Sequence, residues 1–477
     1  MYDVVIIGAG VVGAMTARTL SKYNLKICIV DKENDVAMGA TKANSAIVHA
    51  GFDAEIGTLK ARLNVKGSEM MENTAKELGV KYRRNGSLVI GFDDEDRKTI
   101  EALYARGIQN GVNGLKIIEK DELEGIEPSV SNAAVCALYA PTGAIICPYE
   151  LTVAAVGNAM DNGAELRLNF EVKSITKTEN GFVVCSDGGS VESRFVVNAA
   201  GIYSDSVAAM VGDNSFTVTP RRGEYILLDK ECGGLVSHTI FRTPTKAGKG
   251  ILVSPTVDGN LLTGPTSQNI DNKDDKSTTS EGFAQIMREA VEDVKGIAFN
   301  KTITSFCGLR AAGSTGDFII NSPLEGFINA AGIESPGLSA SPAIAEYIEE
   351  MLLKQGIKCD KKSDFNPYRK PAHYFRDASL EEKNEIIKKD KSFGRIICRC
   401  ETVTEGEILE AVRTNPQPRD LDGVKRRTRA QMGRCQGGFC SPYIIDILHK
   451  ELNIPYEEIT KSGGKSYVIT RKTKGDE

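Results

Sequence analysis

The chain has 477 residues, a length suited to about three domains, and 41% of them are hydrophobic, ample for sizeable cores. Its 59 lysines and arginines against 64 acids leave a net charge of −5, which excludes the broadly basic surface that nucleic-acid binding requires. No run of about eighteen apolar residues is present to span a membrane, and no basic stretch leads into an apolar one at the start. A cytoplasmic chain is therefore expected, with any membrane association peripheral and through a partner.

The first thirty-one residues read as strand, glycine turn, helix and second strand. Val4 to Ile7 is short, apolar and β-branched, as a buried parallel strand requires. It opens into Gly8-Ala9-Gly10-Val11-Val12-Gly13, where Gly8 suits the tight turn, Gly10 a close approach of backbone to a pyrophosphate, and Gly13 the packing of helix on strand. The helix, from about Val12 to Tyr23, would present its N-terminus to phosphates. A second strand, Ile27 to Val30, ends at Asp31, at the roughly 20-residue spacing where an acid accepts a ribose hydroxyl. These parts together predict a dinucleotide site.

Gly39 to Gly51 is a loop dense in small residues and amides, including Thr41, Asn44 and Ser45, which suits backbone running beside a flat cofactor. His49, one of only four histidines, lies in it. Helices are expected over about Gly57 to Leu78, Asp93 to Gly111 and Glu150 to Asn162, with strands over Lys81 to Val89, Glu165 to Thr176 and Gly181 to Cys185. Asn198-Ala199-Ala200-Gly201 ends another apolar strand and leads into a helix near Ser206, a second strand-to-helix turn beside a nucleotide. From Thr217 to Thr263 the pattern is mostly strand, the natural place for a substrate cover, and Arg221, Arg222 and Tyr225 start one of its strands. Gly332 to Ser339, with Gly337 and Leu338, is a third glycine turn aimed at a helix N-terminus, whose partial positive charge can stabilise an anion.

Residues 359–391 are charged, contain Pro367 and Pro371, and read as a linker. Beyond them stand Cys398-Arg399-Cys400 and, after thirty-four residues, Cys435-Gln436-Gly437-Gly438-Phe439-Cys440. Four thiolates in two close pairs suit a metal or iron-sulfur centre. A zinc knuckle is one reading; a 2Fe-2S cluster is favoured, because the glycines offer N–H groups to sulfide and Cys-x-Cys leaves little slack for zinc. The other seven cysteines are scattered, as core residues are. Thr404 to Glu407 forms a capping box, and Pro442 begins the helix after Cys440. The basic run Lys425 to Arg429 is expected to neutralise the cluster or to dock an acidic partner, with solvated surface as the alternative.

Taken together, the N-terminal fingerprint, the Ala43-Asn44-Ser45 to His49 loop, Asn198 to Gly201, Gly308-Leu309-Arg310 and Ser335-Pro336-Gly337-Leu338 resemble the FAD-dependent D-amino-acid-oxidase-like superfamily. The nearest likeness within it is to catalytic subunits of anaerobic glycerol-3-phosphate dehydrogenases, with L-2-hydroxyglutarate oxidases close behind. The tail, Gly433 to Cys440 with Arg427-Thr428-Arg429, is similar to the bacterioferritin-associated-ferredoxin-like 2Fe-2S domain. The resemblance implies an α/β fold: a Rossmann-like FAD-binding domain (about 1–80, 140–212 and 318–358), an interleaved β-rich substrate domain (about 81–139 and 213–317), and a small, mostly helical iron-sulfur domain (392–477). It implies FAD held by Gly8, Gly10, Gly13, Asp31, Thr41, Asn44, Ser45, Ala200, Gly201, Gly332, Gly337 and Leu338. Cys398, Cys400, Cys435 and Cys440 would ligate the cluster. His49 and Arg310 are the implied catalytic residues, with Arg310, Arg222 and Tyr225 binding a small anionic hydroxy substrate. An electron-accepting protein subunit, such as a second flavoprotein, is the implied partner; a non-catalytic electron-transfer subunit is the reading from another class.

Overall fold

Val4, Val5 and Ile6 expose none of their surface, because the strand Tyr2–Ile7 lies inside a sheet covered on both faces. It pairs in parallel with Ile27–Val30 on one side and Gly189–Asn198 on the other. Val4, Ile6, Ile27 and Ile29 join one core while Val5, Ile7, Cys28 and Val30 join another, so the continuous apolar runs reflect burial on both faces. The computed structural model in which this is seen describes every residue except 245–249, 372–374, 472–473 and 475–477. The sheet has eight strands; its long member Gly189–Asn198 pairs with Gly181–Ser186 over its first half and with Phe327–Ala331 over its second. Helices Val11–Leu20, Leu59–Leu78, Pro148–Asp161 and Gly337–Lys354 supply the first core's other wall.

A nine-stranded sheet is built from the interleaved segments. Its long antiparallel pair, Val218–Leu228 against Thr302–Gly313, carries Tyr225 and Arg310 toward the first sheet. Helices Glu405–Arg413, Leu421–Thr428 and Ser441–Leu452 form the C-terminal unit around Ile408, Val424, Ile444 and Leu448, all fully buried. Thr404 and Glu407 form the expected capping box. Among the described residues no helix is long and apolar enough to cross a membrane.

Three expectations are corrected. The strand expected over Lys81 to Val89 breaks at Gly86, whose φ of +71° turns the chain between two sheets; Tyr82–Arg83 pairs with Ala144–Ile146, and Ser87–Gly91 enters the nine-stranded sheet. Glu165 to Thr176 is likewise two strands, Glu165–Arg167 and Ser174–Thr178, at opposite edges of the eight-stranded sheet. The segment 359–391 is no free tether: Asn24 N–H donates to Asp360 O at 2.8 Å and Arg369 N–H to Glu77 O at 2.8 Å. It also contains the helix Leu380–Lys389, started by a Ser379–Glu382 capping box. Residues 372–374 of that segment lie outside the described residues.

Candidate active site

The glycine turn sits at the base of an elongated cleft of about 2130 Å³, open mouth included, between the two large sheets. Gly8 has a φ of +108°, and a Cβ there would lie 2.3 Å from Ala199 O, so both the turn and its neighbour demand glycine. A Cβ on Gly13 would meet Gly8 O at 2.0 Å, which is the helix-on-strand contact expected of it. Gly10 faces the cleft, with only Thr41 Oγ1 3.3 Å from where its Cβ would be. Thr41 also accepts the N–H of Val11 at 3.0 Å, holding the Gly39 to Gly51 loop against the helix start. Asn44 shapes the same loop, donating to the carbonyls of Ala40 and Thr41 and accepting from Ala46 N–H. Ala200, Gly201, Gly337 and Leu338 line the cleft as expected; Gly332 does not, and packs behind its wall against Gly313.

Asp31 lines the cleft at the end of its strand and accepts N–H groups from Ala9 at 2.6 Å and Glu33 at 2.9 Å. Burial in the wall nevertheless pushes its carboxyl up to about 6, outweighing those two donors. A bare glycine turn, a helix start whose cap residue is Gly10 and an acid at the second strand's end fit a dinucleotide.

His49, Ser45, Tyr225 and Arg310 all line the same cleft. His49 N–H donates to Ser339 Oγ at 2.7 Å, and its Nε2 lies 3.2 Å from Ser335 Oγ, so the helix Gly337–Lys354 and its lead-in fix the ring. Ser45 Oγ and Tyr225 Oη are 3.3 Å apart, joining loop to strand. Arg310 donates to Thr266 O at 3.2 Å and forms no ion pair among the described residues. Arg222 is not among these side chains. Strand side chains alternate, so Arg221 and Tyr225 share a face with Arg310 while Arg222 turns to the other, where it is buried and paired with Asp275.

Some cleft residues had no signal in the sequence: Tyr203 follows directly on the Asn198 to Gly201 turn, and Lys273 and Lys276 arrive from a segment the sequence did not single out. Asn329 had one. Asn-Ala-Ala-Gly occurs at 198–201 and again at 329–332, and the two asparagines are register partners in parallel strands. Asn198 Nδ2 donates to Asn329 Oδ1 at 2.9 Å, and Asn329 Nδ2 to Asp213 Oδ2 at 2.9 Å, all buried. This network fixes the strand ends from which both wall turns start.

The four cysteines of the tail pair across the sequence. Cys400 Sγ and Cys435 Sγ are 3.6 Å apart, and Cys398 is hydrogen-bonded to Cys440. Tetrahedral zinc with bonds of about 2.3 Å would bring all four sulfurs within about 4 Å of one another. Among the described residues, no three of them lie within 4.8 Å of each other. Two separate pairs fit two irons, each held by two thiolates. Burial at Cys435 is outweighed by the backbone N–H of Gly437, the contact with Cys400 and the N–H groups of Phe439 and Gly438, which lower its thiol; the contact with Cys440, helped by N–H groups of Gln431 and Glu401, lowers Cys398.

The arginines of the basic run are neither solvated nor free for a partner. Arg426 and Arg427 reach Asp35, at 2.5 and 2.8 Å. Arg429 reaches Asp258 at 2.6 Å and Glu401 at 3.0 Å; Arg376 reaches the same two acids, each at 2.9 Å, and Lys230 reaches Glu401 at 2.8 Å. These ion pairs, centred on the buried acids Asp35, Asp258 and Glu401, clasp the cysteine-bearing unit to both sheet regions. Burial alone would raise the carboxyl of Asp35, but the guanidiniums of Arg427 and Arg426 outweigh it and hold that group well below the carboxylate range.

Residues 3–351 match the family model of FAD dependent oxidoreductases, and residues 396–450 that of the BFD-like [2Fe-2S] binding domain. The chain is 50% identical to a glycerol 3-phosphate dehydrogenase of Caloramator mitchellensis, covering 100% of both chains. It is 31% identical to the mouse mitochondrial L-2-hydroxyglutarate dehydrogenase over 55% of this chain and 60% of that one. Among solved structures, the dithionite-reduced L-alpha-glycerophosphate oxidase of Mycoplasma pneumoniae with FAD bound superposes with a TM-score of 0.73 at 31% identity, over 77% of this chain and 98% of that one. With the glycine turn, the cleft and the paired cysteines in place, the chain belongs to the FAD-dependent oxidoreductase family and carries a 2Fe-2S domain at its C-terminal end.

Proposed function

We propose that the chain oxidises the secondary alcohol of glycerol 3-phosphate to the ketone of dihydroxyacetone phosphate and passes the electrons through the cluster to a partner protein. The full-length likeness to the Caloramator enzyme carries the substrate; Arg310 and His49, both lining the cleft, support the chemistry. FAD, when bound, supplies the hydride acceptor, and the 2Fe-2S cluster a one-electron carrier.

Arg310 holds the substrate phosphate with a planar fork of donors, the geometry that suits bidentate recognition of phosphate. His49 takes the hydroxyl proton at Nε2, the nitrogen oriented by Ser335. Tyr225, stacked on Phe306 with ring centroids 4.9 Å apart, closes the wall beside Ser45 and limits water at the reacting carbon. Asp31, at the far end, accepts the adenosine ribose.

Anaerobic addition of glycerol 3-phosphate should bleach the flavin absorbance; persistence of the oxidised spectrum would refute the substrate. The likeness to the L-2-hydroxyglutarate dehydrogenase supports a second reading, since Arg310 would suit a carboxylate equally. The same bleaching with L-2-hydroxyglutarate, and none with glycerol 3-phosphate, would select it. A chain that only relayed electrons would bleach with neither.

A further inference from the structure

The ionic clasp fixes one side of the cysteine-bearing unit and leaves the other bare. Cys398 and Cys440 are buried, Cys435 is half-buried and Cys400 is exposed, so one edge of the cluster site meets solvent. Large apolar side chains crowd that edge: Phe439, next to Cys440, is 74% exposed, Tyr443 50% and Ile396 38%. The Arg395 guanidinium lies 5.4 Å from the Tyr443 ring centroid, which joins the strand edge at Ile396 to the helix start at Tyr443 as one surface. Exposed apolar groups gathered together mark docking faces, and aromatics with arginine dominate the centres of protein interfaces.

The charges of this face are unevenly matched. Arg434 pairs with Asp229 and Glu231, Lys301 with Glu231, and Arg395 with Glu405. Arg399, between the two ligands Cys398 and Cys400, is exposed and pairs with no carboxylate among the described residues. The local surplus is positive. The unit cannot swing toward a distant acceptor without breaking the buried pairs at Asp35, Asp258 and Glu401, so an acceptor must come to this edge.

We propose that the face made by Cys400, Arg399, Phe439 and Tyr443 docks an acidic electron-accepting protein, which takes electrons one at a time at the Cys400–Cys435 edge. In each transfer the reduced cluster loses one electron and the acceptor's centre gains it, with no bond made or broken. This rests on the reading that the cluster carries electrons out of the enzyme.

The test uses the full-length holoprotein reduced with dithionite, freed of excess reductant and mixed with three acceptors: succinylated cytochrome c, which is acidic, native cytochrome c, which is basic, and neutral p-benzoquinone. Succinylated cytochrome c should be reduced about tenfold faster than the native form at low ionic strength, and the gap should close as salt rises. Arg399→Glu should lower the succinylated rate about tenfold, and Phe439→Ser and Tyr443→Ser should each slow it several-fold, with the benzoquinone rate and the EPR signal of the reduced cluster unchanged. Equal rates for the two cytochromes, or equal slowing with benzoquinone, would overturn the proposal. The two serine variants stand in for each other if one loses its cluster. No substrate is used, so a failure of glycerol 3-phosphate to bleach the flavin would be a separate result.

Discussion

Charged side chains meet opposite fates in two regions of this molecule. Along the seam that holds the cysteine-bearing unit, Arg426, Arg427 and Arg429 are buried and each meets a carboxylate. In the cleft, Arg310 meets the Thr266 carbonyl and no carboxylate among the described residues, and His49, which also lines the cleft, is held by two serines. A buried charge matched by its own protein is structure; one that faces a cavity without an ion pair is a place for a ligand. The difference supports the proposed anion binding in the cleft and takes that role away from the basic run, although the run is by far the more conspicuous in the sequence.

If that division is right, cleft substitutions should alter turnover and spare folding. His49→Gln should cut kcat about 10³-fold, as expected for loss of a general base, with the bound-flavin spectrum retained. Stopped-flow bleaching of the flavin measures it, and a loss under tenfold would remove His49 from the reaction. Arg310→Met should cost about 10²–10³-fold in kcat/KM, much of it in KM, because a charge-assisted pair with phosphate is lost. Arg222→Met is the internal control: its side chain lies on the other face, so KM for the substrate should move little.

At the seam the pattern should invert. Asp35→Ala leaves Arg426 and Arg427 buried without their carboxylate and should destabilise the docking of the C-terminal unit by about 3 kcal/mol, roughly 10²-fold, with flavin reduction by substrate unaffected. Limited proteolysis near residues 359–391 reads the undocking. The sign of the pH dependence follows from the depressed Asp35 carboxyl: its contribution is present above the unfolded value of about 3.9 and is lost as pH falls below it toward the folded value. Seam release on acidification that is identical in wild type and Asp35→Ala would show that Asp35 does not govern it.

Cleft and seam also differ in how far they could be read from sequence. The glycine turn, Asp31, the Thr404–Glu407 box and the four cysteines are encoded by local spacing, and the structure keeps each of them. Tyr225 and Arg222 are three residues apart, so strand alternation alone separates them, and a shared segment is not a shared site. The Asn-Ala-Ala-Gly repeat is legible too, and its significance lies in parallel pairing that only the sheet reveals. The seam has no such trace. Asp35 and Arg427 are 392 residues apart, and neither stands in a pattern that names the other. A run of basic residues looks the same whether water, a partner or the chain's own acids will face it.

Asp31 belongs to both regions' logic, since it is an acid at the wall of the cleft with backbone donors and no ion pair among the described residues. Its carboxyl, pushed up to about 6 by burial, keeps a proton in the folded apoprotein that the unfolded chain releases near 3.8. Between those values the native state binds more protons, so the Asp31 contribution to apoprotein stability declines as pH rises from about 3.8 to 6. FAD should change that balance, because a ribose hydroxyl donates best to the ionised carboxylate. FAD affinity, measured by flavin fluorescence quenching, should therefore weaken about tenfold as pH falls through 6, a shift of about one pKa unit in favour of the charged form on binding. In Asp31→Asn the affinity should be lower at neutral pH and flat across the same range. A wild-type affinity equally flat would mean that the ribose hydrogen-bonds elsewhere, with Glu33, on the same wall, the nearest acid to take its place.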